Sequence, residues 1–147
     1  MNYIAVDTYI SQFLTLFEPY KSGNWCYEDG IIRSGTWYLY QVTEEKRYMD
    51  FILSYLDNSV SDTGTLPGYN QGDYNIDNIN PGKVLFDVYQ KTGQKKYKQA
   101  IDLLYMQLKS HPRTKSGNFW HKIKYPFQVW LDGLYMGQPF YSKYMRD

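Results

Sequence analysis

The sequence predicts an all-α protein assembled from stacked helical hairpins. Two observations carry this. Between three polar, Gly- and Pro-containing loops, apolar residues recur at helical spacing. One helix–turn–helix pattern also occurs twice, 49 positions apart. In chain order, residues 3–18 place Val6, Tyr9, Phe13, Leu16 and Phe17 at helical intervals, and a loop follows over 21–30. Residues 31–42 carry Trp37, Leu39 and Tyr40. Residues 45–59 carry Tyr48, Phe51, Ile52, Tyr55 and Leu56, an i, i+3, i+4, i+7, i+8 stripe. After a second loop over 61–81, segments 82–92 and 94–109 repeat that pair. The third loop, 110–126, has room for a short hairpin arm over 117–123. A final apolar, aromatic segment near 130–145 opens a third unit.

The repeat is legible residue by residue. Tyr40-Gln-Val-Thr43-Glu-Glu-Lys-Arg-Tyr48 matches Tyr89-Gln-Lys-Thr92-Gly-Gln-Lys-Lys-Tyr97. The same offset pairs Trp37 with Phe86, Ile52 with Ile101 and Leu56 with Tyr105. Each unit reads as a helix, a tight turn containing threonine, and a returning helix.

The chain has 147 residues, 43% of them hydrophobic and 21% charged, which suits one folded domain over 1–147. Such a length buries roughly 68–70% of the unfolded surface. Sixteen Lys and Arg against fifteen Asp and Glu leave +1, which argues against a phosphate-tracking nucleic-acid binder. No stretch approaches the ~18 apolar residues of a membrane span. The start lacks a signal pattern, so the expected location is cytoplasmic, or secreted where a leader has been removed. A single cysteine, Cys26, and two histidines, His111 and His121, leave little for a metal site, and none is expected. Aromatic residues reach 19%, with 17 Tyr. Their faces suit core packing or stacking on sugar rings.

Hairpin repetition orients the first helices alike, so their N-termini gather at one end. Asp29, Asp77 and Asp132 lie at or just ahead of those starts. Helix N-termini favour anions, so a negatively charged ligand is expected at that end. Asn80-Pro81 reads as an N-cap followed by proline at the first helical position. Asp132, inside Trp130-Leu131-Asp132-Gly133-Leu134-Tyr135-Met136, is either a buried cap or a proton donor whose pKa burial would raise. His121, between Trp120 and Lys122, is either structural or part of a sugar-acid site. His111 reads as a loop-shaping residue, and Cys26 has no base beside it.

Five motifs in order carry a resemblance: Trp25-Cys26-Tyr27-Glu28-Asp29-Gly30, Tyr74-Asn75-Ile76-Asp77-Asn78-Ile79-Asn80-Pro81-Gly82-Lys83, His111-Pro112-Arg113-Thr114, Phe119-Trp120-His121-Lys122 and Trp130-Leu131-Asp132-Gly133-Leu134-Tyr135-Met136. From about residue 20 onward the chain resembles the unsaturated rhamnogalacturonyl hydrolases, glycoside hydrolase family 105. The resemblance implies a partial (α/α)6 barrel, about half of the full toroid, and no cofactor. It implies hydration of the 4,5 double bond of an unsaturated galacturonyl group in pectin-derived oligosaccharides. By the same resemblance, Asp132 is the general acid/base and Asp77 the second carboxylate. Trp25, His121, Lys122 and Trp130 are pocket residues. An arc of hairpins leaves apolar edges, so a homodimer or higher oligomer is expected. Two readings compete: a family remnant that binds carbohydrate or self-associates without turnover, and a helical scaffold whose concave face binds another protein.

Overall fold

The structure is a computed structural model that describes residues 3–146, with side chains from Val6 onward; residues 1, 2 and 147 of the expected unit lie outside the described residues. Among the described residues the periodicity is realised as six α-helices: α1 (Tyr3–Leu16), α2 (Tyr27–Thr43), α3 (Lys46–Ser59), α4 (Lys83–Thr92), α5 (Lys95–Ser110) and α6 (Leu131–Arg146). Three 3-10 turns, Tyr20–Gly23, Gln71–Asp73 and Ile76–Gly82, lie in the loops.

The repeat is built as read. Two hairpins, α2–α3 and α4–α5, close through equivalent turns. The Thr43 hydroxyl donates to the Leu39 carbonyl and the Thr92 hydroxyl to that of Val88, each at 2.8 Å. Each threonine oxygen then accepts the N–H two residues on, from Glu45 or Gln94 at 3.3 Å. The residue between is left-handed in both, Glu44 at φ 56° and Gly93 at φ 66°. Paired positions are buried together, Trp37 with Phe86, Tyr48 with Tyr97 and Ile52 with Ile101. Leu56 is buried, whereas its counterpart Tyr105 is only half-buried.

α4 packs between α2 and α6, with α3 and α5 behind them. One apolar cluster joins the layers through Trp37, Ile52, Leu56, Leu85, Leu104 and Phe140. α1 lies on α3, where Phe17 meets Phe51 and Tyr55 at 5.6 and 6.0 Å between ring centres, and Arg47 pairs with Asp7. No described helix is long and apolar enough to cross a membrane.

Three local expectations are corrected. α2 begins at Tyr27, so Tyr27 to Gly30 form its first turn rather than a loop; Glu28 and Asp29 suit a helix start. Asn80-Pro81 is not a cap, because the chain is already helical from Ile76. Asn75 caps that turn by accepting the Asp77 N–H at 3.1 Å. Asn80 is buried and donates across to the Tyr27 carbonyl at 3.3 Å. The hairpin arm sits at 112–120 instead of 117–123, as a single bridge between Arg113 and Phe119. Pro112 accepts from the Trp120 N–H at 2.9 Å but has no N–H to return, so the ladder stops there.

Candidate active site

The starts of α2, α4 and α6 gather at one end. A Cβ on Gly30 of α2 would lie 2.7 Å from the Pro81 Cα, and Lys83 at the start of α4 reaches the Tyr135 carbonyl of α6 at 3.3 Å. That close approach is why position 30 carries no side chain.

Two segments meet at this end. The Ile76 N–H donates to the His121 carbonyl at 3.0 Å, and the His121 N–H to the Gln128 carbonyl at 2.8 Å. The first bond sets Asp77 beside His121; the second folds 122–130 back so that Trp130 lies over the imidazole. Asp77, His121 and Asp132 each present an atom within 4.8 Å of the others. Asp77 is 7% exposed. Its Oδ2 is 2.8 Å from the Lys122 ammonium and its Oδ1 is 3.6 Å from His121 Nε2. His121 is 2% exposed, and burial pushes its imidazole below the usual range, against the pull of Asp77. Trp130 stacks on it at 4.0 Å and 13°, with Tyr125 on the outer face of the indole at 5.3 Å. The indole N–H donates to Gln128 Oε1 at 2.9 Å. Trp130 stays 42% exposed and so offers an aromatic edge to solvent beside the carboxylates.

Asp132 is not buried, contrary to its apolar sequence setting. It is exposed in the first turn of α6, as are Leu131, Leu134 and Tyr135. No backbone N–H of α6 donates to its carboxylate, which removes the capping reading. Asp29 does not join the other two acids. It is buried on the α3 side of α2, where it takes the Tyr55 hydroxyl, the Tyr20 N–H at 3.1 Å and the Cys26 thiol at 3.3 Å. Trp25, only 4% exposed, lies beneath the Asp77 turn and donates its indole N–H to the Asn78 carbonyl at 2.8 Å. It supports the site from behind.

His111 shapes its loop as expected: Nε2 donates to the Trp120 carbonyl at 2.8 Å, next to His121. Gln107 was not visible as a site residue. Wholly buried on the apolar stripe of α5, it donates to the Asn75 carbonyl at 3.0 Å and accepts from the Tyr69 hydroxyl at 2.9 Å. A glutamine on that stripe was the available signal. Asp77, His121 and Asp132 could together approach a cation, but the Lys122 ammonium already supplies positive charge to Asp77.

Helical hairpins in a row, with two carboxylates, a histidine and an open indole at the helix starts, define the architecture of helical-barrel glycoside hydrolases. The sequence pattern of Glycosyl Hydrolase Family 88 matches residues 6–146, and the chain belongs to that family. Among solved structures it is similar to a glycoside hydrolase from family 105 of C. acetobutylicum ATCC 824, at 42% identity and a TM-score of 0.84. The match covers 96% of this chain and 38% of that one. The family 105 resemblance of the sequence therefore stands, as does the partial barrel.

Proposed function

We propose that the protein acts on pectin-derived oligosaccharides that end in a 4,5-unsaturated galacturonyl group linked to rhamnose. The reaction is hydration of that double bond. Asp132 delivers a proton to C4, and its carboxylate takes one back from the water whose oxygen adds at C5; the hemiketal opens to a C5 ketone, and the C1 hemiacetal so formed expels the rhamnose hydroxyl. Asp77, held by Lys122 beside His121, orients the water or the sugar. Trp130, with its faces taken by His121 and Tyr125, offers its exposed edge to the sugar. The observation that carries this reading is the meeting of Asp77, His121 and Asp132 within 4.8 Å at an open end beside that indole. One carboxylate is held by Lys122 and the other is exposed and within reach of a ligand.

The test is ultraviolet absorbance. Hydration destroys the conjugated uronate, so absorbance of an unsaturated galacturonyl–rhamnose disaccharide falls with wild type and persists with Asp132→Asn. Equal rates for both would remove Asp132 from the reaction. A second reading keeps the sugar and drops the turnover. The exposed apolar side chains Leu131, Leu134 and Tyr135 next to Asp132 favour it, as a face on which copies associate. Sedimentation checks it: a monomer at micromolar concentration contradicts self-association.

A further inference from the structure

Most lysines with a fixed place in this fold face a carboxylate. Lys21 meets Glu28, Lys46 meets Asp50, Lys96 meets Asp57, Lys98 meets Asp102, Lys122 meets Asp77 and Lys143 meets Asp87. Lys83 is the exception among the half-buried ones. Its ammonium lies 3.5 Å from the centre of the Tyr135 ring and donates to the Tyr135 carbonyl at 3.3 Å. No carboxylate of the described residues pairs with it. Asp87, one turn along α4, is already held by Lys143 at 2.7 Å.

An ammonium taken from water without a counter-ion is unfavourable. Burial pushes Lys83 down to about 8. A ring face and one carbonyl leave donors of the ammonium unused.

Lys83 lines a hollow of about 240 Å³ with Ser34, Tyr38, Gln41, Asp87 and Lys143, between α2, α4 and α6. The α6 wall of that hollow is Pro139 and Lys143. Asp132, Tyr135, Pro139 and Lys143 follow one another at i+3 and i+4 steps, so they form one stripe of α6 with Asp132 at its N-terminal end. At 1.5 Å per residue, Tyr135, on which the ammonium rests, is about 4–5 Å further along α6 than Asp132. A uronate places its carboxylate on C5, the atom next to the C4 that Asp132 is proposed to protonate. One turn of separation suits that geometry.

From this arrangement we infer that Lys83 is the binding residue for the carboxylate of an acidic sugar whose ring lies against Asp132. The inference rests on the proposed function and adds to it. It assigns acid recognition to Lys83 rather than Lys122, which is committed to Asp77.

Calorimetric titration with a saturated galacturonyl–rhamnose disaccharide, which has no double bond to hydrate, and with its uronate methyl ester tests this. Wild type is expected to bind the acid about tenfold or more tightly than the ester, as a charge-assisted contact provides. Lys83→Met should bring the two affinities together, and Lys83→Arg should keep most of the preference. Circular dichroism confirms that each variant is folded. An acid-to-ester ratio unchanged in Lys83→Met overturns the inference and leaves the proposed function standing. Failure of wild type to bind either sugar overturns both.

Discussion

Acid should loosen the clip that holds the candidate site, and the effect is traceable to His111. The imidazole is 4% exposed at the end of α5. Nε2 faces the Trp120 carbonyl at 2.8 Å, so it carries the proton in the neutral ring. Nδ1 then accepts, facing the Gln107 amide nitrogen at 3.4 Å. A second proton would set N–H against N–H. Burial, the largest cause, lowers the histidine to about 4 from its ordinary 6.5. Between those values the unfolded chain binds a proton that the folded chain refuses, so stability is fully present above 6.5 and declines as pH falls toward 4. The whole window corresponds to about 3 kcal/mol, of which about 2 kcal/mol is lost by about pH 5. Other groups also contribute to the pH dependence of unfolding, so the comparison must be differential. Urea unfolding of wild type and His111→Phe at about pH 7.5 and about pH 5 supplies it. The variant gives up its hydrogen bonds at both pH values, but its deficit relative to wild type should shrink by about 2 kcal/mol at the lower one. A deficit independent of pH would refute the buried neutral imidazole.

Other outcomes follow from single contacts. Glu44 occupies the left-handed position that Gly93 occupies in the sister turn. Glu44→Gly should therefore raise stability by about 0.5–1 kcal/mol in thermal or urea unfolding, and a loss would show that the two turns are not equivalent. Cys26 is 1% exposed and burial pushes its thiol up to about 11. A mass shift with a thiol reagent should appear only on unfolding; labelling of the native protein at the unfolded rate would contradict its burial. Asp132 is exposed and caps nothing, so Asp132→Asn should change the free energy of urea unfolding by no more than about 0.5 kcal/mol. A larger loss would restore the capping reading.

The fold was legible because a helical hairpin is locally encoded. The stripes of α3 and α5 and the threonine turns each lie within a few consecutive residues, and repetition told one accident from a pattern. The meeting of Asp77 with Asp132 was legible for a coarser reason, the shared direction of the first helices. What escaped depends on side-chain direction or on contacts between distant segments. Asp29 looked equivalent to Asp77, yet a helix beginning at Tyr27 turns it toward Tyr55. Lys122 looked like a ligand for sugar acids until its pairing with Asp77, 45 positions earlier, was known. Lys83, after Pro81-Gly82, looked like any polar residue at a helix start. Only the neighbouring α6 gives it a ring to rest on and a hollow to face.

The two carboxylates of the site differ in a way that separates their roles. Asp77 is anchored from three directions: Asn75 caps its turn, Trp25 holds the Asn78 carbonyl beside it, and Lys122 holds its charge. A residue so constrained can orient a ligand but has little freedom to move. Asp132 has no hydrogen-bond partner among the described residues and is exposed at the start of α6. Its own helix continues inward past Tyr135 and the Lys83 ammonium. A group that must reach toward substrate and exchange a proton with it needs that freedom. The same asymmetry implies that Asp77→Asn would act through geometry and Asp132→Asn through chemistry. Only the first should weaken the packing of His121 under Trp130.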